Sequence, residues 1–309
     1  MQRLTLAGDI PDSLKGAIVA LGNFDGFHSG HQAVVGRAVQ RGFHERRPVI
    51  IATFEPHPVR LFRPEAEPFR LTSLDQREEL FAHAGADAML VFDFTTELAA
   101  TSAEDFVEAI VLGTIGAGGI VTGDDFTFGK GRSGKVERLA ELAAAHGIIA
   151  EAVRPVLARD ERVSSGRIRE ALVEGNMAAA TRLLTRPYAI AGVVEQGDRR
   201  GRQLGYPTAN VALGDYQRPR YGVYAARVRL DDGSERDSVV NLGIRPMFVP
   251  PKELLEAHIF DFDGDLYGRT IEVALHAFIR DEANLDSMDA LARQMRDDEA
   301  QARQLLGAA

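Results

Sequence analysis

Two histidines three residues apart, His28 and His31, follow a short apolar run inside the turn Gly22-Asn23-Phe24-Asp25-Gly26-Phe27-His28-Ser29-Gly30-His31. A glycine-rich turn that opens a helix aims backbone N–H groups and the positive end of the helix dipole at whatever lies in front of it, here with two imidazoles alongside. The chemistry this suits is phosphate binding, and phosphoryl or nucleotidyl transfer asks for positioning and charge neutralisation more than for a nucleophile. A second constellation runs from Gln196 to Asn210 and packs three glycines and three arginines before Tyr206-Pro207-Thr208-Ala209-Asn210. Such a loop wraps polyphosphate with N–H groups and guanidinium forks, while Pro207 fixes the backbone ahead of Thr208 and Asn210, whose oxygens are hard ligands for Mg²⁺. Farther on, alternation in Leu254-Leu255-Glu256-Ala257-His258-Ile259-Phe260 puts Leu254, Glu256 and His258 on one face. That placement predicts Glu256 on an apolar-lined side, sheltered enough to act as a general base.

Other patterns compete with these. His28, His31 and the remote His57 are all zinc-type ligands, although a histidine pair in a turn has no third ligand within sequence reach. His44, His83 and His146 sit in helical or loop patterns without partners and are read as surface residues. Gly129-Lys130-Gly131-Arg132-Ser133-Gly134-Lys135 meets most of a phosphate-binding loop, but Val136 stands where Ser or Thr would hold Mg²⁺ and no buried strand precedes it. It is read as a mobile glycine-rich loop near the ligand site. Asp261, Asp263, Asp265 and Glu272 mimic a calcium loop, yet Leu266 replaces the required glycine and apolar strands flank it, so a hairpin turn with solvated carboxylates is expected.

These residues need elements to hold them. From about Ala17 to Ala180 short apolar runs alternate with helical patterns: 17–24, then a helix after Ser29; 49–54, then a helix from about Ser73; 89–94, then 102–111; 119–123, then 136–147. That alternation is the signature of βαβ units and a mainly parallel sheet. Ser102 and Ser164-Ser165 are placed as helix N-caps. After Arg186-Pro187 the texture changes to β-branched and aromatic runs at 188–196, 221–230, 237–243, 254–262 and 270–278, the pattern of an antiparallel sheet or small barrel. One helix over Ser287–Leu306, carrying Leu291, Met295 and Leu305, closes the chain. The expected domains are residues 1–186 and 187–309.

Composition narrows the function classes. The 309 residues are 45% hydrophobic and 26% charged with no cysteine, which excludes disulfides, thiolate metal sites and cysteine nucleophiles and fits a cytoplasmic setting. A net charge of −9, mildly acidic in both halves, argues against coating nucleic acid. No apolar run is long enough for a membrane span, and the N-terminus has no signal-peptide layout.

The segment Phe24 to His31 resembles the His-x-Gly-His nucleotidyltransferase motif as used by bacterial bifunctional riboflavin kinase/FMN adenylyltransferases, or FAD synthetases. Thr53 to Pro58, Gly123 to Gly129, Val163 to Arg169 and Pro207 to Asn210 are similar to further motifs of that family, so the resemblance spans nearly the whole chain. It implies a Rossmann-like α/β nucleotidyltransferase domain followed by an antiparallel β-barrel riboflavin kinase domain with a terminal helix. It implies ATP, riboflavin and FMN as substrates with Mg²⁺ as cofactor. By the same resemblance His28 and His31 are catalytic. Gly22, Phe24, Gly30, Arg162, Ser164, Ser165 and Arg169 bind nucleotide, as do Gly197, Gly201 and Arg202 in the second half. Phe54, Asp125 and Phe126 touch flavin, Thr208 and Asn210 hold the metal, and Glu256 is the kinase base. Gly166 stands where the family reads Thr, and Met247 to Pro251 departs from a Thr-Phe-Gly-Gly pattern. Two rivals remain at this stage: an adenylyltransferase for another acceptor, such as pantetheine phosphate or nicotinate mononucleotide, and a flavin-sensing protein without activity.

Overall fold

The structure is a computed structural model that describes residues 1–196, 206–245, 252–283 and 287–307. Two compact units divide the chain, Met1–Glu67 with Leu74–Ser164 and Pro68–Ser73 with Ser165–Ala309.

In the first unit, strands β1 (Gln2–Thr5), β2 (Ile18–Leu21), β3 (Val49–Glu55), β4 (Ala88–Asp93), β5 (Gly119–Gly123) and β6 (Ala150–Val153) form one parallel sheet in the order β1-β4-β3-β2-β5-β6. Between them run α1 (Ser29–Glu45), α2 (Pro58–Phe62), α3 (Leu74–His83), α4 (Thr96–Ala100), α5 (Ala103–Asp105) continuing as a π-helical stretch over Phe106–Thr114, and α6 (Val136–Ala145). Side chains of β2 alternate between two cores. Ile18 and Ala20 join Val34, Val35 and Ala38 of α1 and Phe81 of α3, whereas Val19 and Leu21 join Phe106, Val107 and Val111 of the π-helical stretch and Leu139 and Leu142 of α6. Burial on both faces explains why the strands read as continuous apolar runs. The chain works outward from β2 through β3 and β4 and then returns to β2's other side with β5. The order therefore reverses between β2 and β5, and in open α/β sheets ligands bind beyond the carboxyl ends of the strands at such a reversal.

In the second unit, β9 (Tyr188–Glu195), β10 (Ala209–Ala212), β11 (Gly222–Arg229), β12 (Glu235–Arg245), β13 (Lys252–Ile259) and β14 (Thr270–Arg280) close into an antiparallel barrel ordered β10-β13-β12-β11-β14-β9. A two-stranded ribbon, β7 (Leu157–Ala158) and β8 (Glu161–Arg162), belongs to the first unit, and helices α7 (Ser165–Val173) and α8 (Met177–Leu184) precede β9. Helix α8 packs on β9 and β14. The terminal helix α9 (Met288–Gly307) lies against β11, β12 and β14. Its buried positions are Asp298, Ala302 and Leu306, while Leu305, expected on the apolar stripe, is exposed. Asp298 tolerates burial because Arg280 grips both its oxygens, at 2.8 and 2.6 Å.

The α/β parallel domain, the antiparallel barrel and the closing helix all stand as read from the sequence. One face assignment does not. Leu255, Ala257 and Ile259 of β13 pair with Leu242, Val240 and Ser238 and point into the barrel, and Glu256 and His258 lie half-buried on the outward face. Leu254 and Leu255 are both apolar, so the strand alone does not announce its parity. The fixed register with β12 decides it.

Candidate active sites

Strand β2 ends at Leu21 and the turn after it carries two non-glycine residues with positive φ, Phe24 at 49° and Phe27 at 41°. The Phe24 ring is buried, edge-on to His31 at 5.4 Å and to Phe81 at 5.8 Å. A Cβ at Gly22 would lie 3.0 Å from that ring, so a larger residue there would push it aside. The turn is also held from β3 and α3. Thr53 Oγ1 donates to the Asn23 carbonyl at 2.8 Å, Arg77 Nη1 donates to Thr53 Oγ1 at 2.9 Å, and Arg77 Nη2 pairs with Glu55 at 2.7 Å. The sequence marks Thr53 to Pro58 as a family motif but does not point to Arg77 or to the link it makes with the turn. Its signal is polar Thr53 and Glu55 on one face of an otherwise apolar strand.

His28 is the N-cap of α1, and its Nδ1 accepts from the His31 N–H at 3.3 Å. A neutral imidazole that accepts at Nδ1 carries its proton on Nε2, which makes Nε2 a donor. The His28 and His31 rings stack at 3.6 Å with a 17° tilt. A Cβ at Gly30 would meet His28 Nδ1 at 3.2 Å, so glycine is what lets the ring sit over the helix end. Together these features place two imidazoles and the N-terminus of α1 at the carboxyl end of β2, where the strand order reverses.

On the far side of the reversal, β5 runs into Asp124 and Asp125. Arg162 pairs with both, at 3.1 and 2.9 Å, which brings together one residue expected at nucleotide and one expected at flavin. Phe54 stacks on Phe92 at 5.0 Å and is buried; Phe126 stacks on Phe128 at 5.8 Å and is half-buried. Both belong to a chain of rings in which Phe62 meets Phe94, Phe94 meets Phe54, Phe92 meets Phe106 and Phe106 meets Phe128. Phe62 on α2 is 68% exposed, so its face is available to a flat ligand. The glycine loop after it is a compact turn at Lys130–Arg132 closed by a Phe128–Gly134 bridge.

Ser164 is half-buried, and Ser165 opens α7. Arg169, farther along α7, donates from Nε to the Phe69 carbonyl at 2.7 Å and lies over the Phe69 ring at 5.3 Å.

In the barrel, Asn210 of β10 is directly opposite Glu256 of β13. Asn210 is buried, and its Oδ1 has no partner among the described residues. It lines a cavity of about 260 Å³ with Thr208, Ala257 and the loop Phe262, Asp263, Gly264, Asp265, Leu266 and Tyr267. That loop is the hairpin expected between two strands, and Asp261, Asp263 and Asp265 are exposed as anticipated; its place in a cavity wall was not. His258 pairs through Nδ1 with the Pro207 carbonyl at 2.9 Å and so holds the backbone just ahead of Thr208. Glu253 is committed elsewhere: hydrogen bonds from Arg218, at 2.9 Å, and from Tyr221 hold it below the usual carboxylate range, although partial burial opposes this. Burial and Glu253 in turn push Tyr221 up to about 12. Gly197, Gly201, Arg202 and the segment Met247 to Pro251 lie outside the described residues. No cluster of three or more His, Asp or Glu side chains suited to a metal occurs among the described residues, and His57 instead caps α2.

Two family models match the chain. FAD synthetase covers residues 10–167 and riboflavin kinase covers residues 184–306. The bifunctional riboflavin kinase/FMN adenylyltransferase of Escherichia coli K12 is 36% identical over 95% of this chain and 94% of its own length. The protein of the same name from Pseudomonas fluorescens is 38% identical over 94% and 93%. A crystal structure from Streptococcus pneumoniae, titled a macrolide-efflux protein, superposes with a TM-score of 0.87 at 30% identity, covering 98% of this chain and 99% of its own. No helix among the described residues is long and apolar enough to cross a membrane. With both halves matched in order and the relatives aligned end to end, the chain belongs to the bifunctional riboflavin kinase/FMN adenylyltransferase family.

Proposed function

We propose that the chain's two activities, phosphorylation of riboflavin by ATP and adenylylation of FMN by a second ATP with release of pyrophosphate, run in two separate sites built from the residues above. What carries this reading is that each half matched by a family model holds its own constellation, the stacked His28 and His31 in one and the Asn210–Glu256 pair in the other.

In the first site the phosphate of FMN attacks the α-phosphorus of ATP and pyrophosphate leaves. His28 Nε2, His31 and the N–H groups at the start of α1 stabilise the negative charge that builds on the departing phosphates. The isoalloxazine lies over the aromatic chain near Phe54 and Phe126. Arg162 exchanges Asp124 and Asp125 for the triphosphate, at small cost because its ion pairs are solvent-exposed and worth about 0–1 kcal/mol. Ser164 contributes a further nucleotide contact, with Gly22, Phe24 and Gly30 shaping the turn.

In the second site the ribityl 5′-hydroxyl attacks the γ-phosphorus, and Glu256 takes its proton. Thr208 and Asn210 fit a hard cation: both are neutral oxygen donors on one cavity wall, and the buried Asn210 Oδ1 has no partner among the described residues. Thr208 and Asn210 would hold Mg²⁺ there, and the bound ion would supply charge neutralisation to the phosphates of ATP. Gly197, Gly201 and Arg202 contact the nucleotide. The substrates are small, the chemistry calls for no nucleic acid or membrane, and a cysteine-free chain suits the cytoplasm.

The test is to incubate the purified chain with riboflavin, ATP and Mg²⁺ and separate the flavins over time. FMN should appear first and FAD should follow. A chain that makes FAD from supplied FMN but never FMN from riboflavin would refute the kinase half.

A further inference from the structure

Glu256 has an amide on both sides. The β13 register sets it opposite Asn210 on β10 and opposite Asn241 on β12, all three on the outward face of the barrel. Directly opposed side chains on such a face are neighbours at about 5 Å. Asn241 Oδ1, like Asn210 Oδ1, is a buried acceptor with no hydrogen-bond partner among the described residues. Leaving such an oxygen unpaired costs free energy, so a site that keeps two beside a base is built to receive partners from outside the chain, a cation or a ligand's hydrogen-bond donors.

The two flanks differ. Asn210 stands on the cavity wall with Thr208, whereas Asn241 is no part of that wall. Along the same outward face, two residues on, a Cβ at Gly243 would run into the Glu282 carboxylate, so glycine opens the way for a second acidic group near Asn241. A buried neutral acceptor beside a base suits a ligand that brings hydroxyl donors.

We propose that Asn241 is a substrate-positioning residue of the kinase site, its Oδ1 accepting a hydrogen bond from a secondary hydroxyl of the acceptor's polyol chain while Glu256 faces the terminal hydroxyl. This rests on the riboflavin kinase reading of the barrel and adds the element that recognises the sugar-alcohol chain. It makes the site selective for a polyhydroxylated side chain over a flavin with a plain alkyl one, because a buried acceptor left unpaired penalises the analogue that lacks the donor.

The experiment uses the full chain, parent and Asn241→Ala, with riboflavin and its 2′-, 3′- and 4′-deoxy analogues. Riboflavin affinity is read from flavin fluorescence without ATP, and KM for flavin and for ATP from FMN formation. The substitution should weaken riboflavin binding and raise its KM by about tenfold. The KM for ATP and FAD formation from supplied FMN should stay within about twofold, inside the range of a surface change. One deoxy analogue should bind the parent as weakly as riboflavin binds the variant, with no further loss when both changes are combined. If the variant discriminates riboflavin from every deoxy analogue by the parent's factor, or if the loss falls on ATP, Asn241 does not hold the polyol. A parent chain that makes no FMN at all would instead remove the kinase reading, and this proposal with it. Should the alanine variant fail to fold by circular dichroism, the near-isosteric Asn241→Leu carries the same readout.

Discussion

An imidazole whose Nδ1 caps a helix has its remaining chemistry at Nε2, and this is the state of His28. Its neighbourhood is held by residues that have no chemical role themselves. Arg77 is 3% exposed and connects the Asn23 carbonyl, Thr53 and Glu55, so it fixes the turn that presents both histidines. Removing one member of a buried pair strands the other, at a cost of about 3 kcal/mol. Arg77→Met should therefore move the urea unfolding of the α/β unit to lower concentration, and FAD formation should fall with it while FMN formation persists. An unchanged unfolding midpoint would mean the pair contributes little. Glu256 draws its importance from register: the next carboxylate of the strand, Glu253, is occupied by Arg218 and Tyr221.

Helix α1 begins on a close contact, and that makes its first turn sensitive. Gly30→Ala puts a Cβ 3.1 Å from His28 Cε1, and a displacement of the ring by about 1 Å costs on the order of a hundredfold in rate. FAD formation should drop by that order with helix content by circular dichroism unchanged; full activity would show that the ring can move freely. On β14, His276 is pushed below its ordinary 6.5, chiefly by burial and further by Arg227. The folded barrel thus keeps it neutral, while the unfolded chain takes up a proton as pH falls below 6.5. Stability should decline from pH 6.5 downward until the folded group is also protonated, and His276→Gln should flatten that slope in denaturant titrations at several pH values. The elements were legible where periodicity was strong: β2 to β5, α1, α6 and β11 to β14 lie where the apolar runs put them. Short or shared signals were not. Edge strand β1 is a four-residue stretch paired only to β4, the inward face of β13 depends on β12, and Leu306 rather than Leu305 is buried because α9's rotation is set by the barrel. The cavity role of Phe262 to Tyr267 comes from folding the hairpin back beside Thr208, which no local pattern states.

At the scale of the molecule, the change of texture after Arg186 marks where the barrel strands begin, and α7 and α8 fall in the barrel's unit. We propose that residues 187–309 form FMN but not FAD when produced alone. A fragment from Ser165 should do the same with a higher Tm, since α8 buries Leu183 and Leu184. Loss of FMN formation in both fragments would mean that the kinase needs the first unit. The central claim is that one chain runs two chemistries in two places, and a reciprocal pair of substitutions tests it most directly. His28→Ala and Glu256→Gln are each assayed for FMN formation from riboflavin and for FAD formation from supplied FMN. The account predicts that His28→Ala loses FAD formation by about a hundredfold or more and keeps FMN formation, through loss of charge stabilisation at the leaving pyrophosphate. Glu256→Gln should lose FMN formation by roughly a hundredfold to ten-thousandfold and keep FAD formation. Either substitution lowering both activities alike in a folded protein would contradict it.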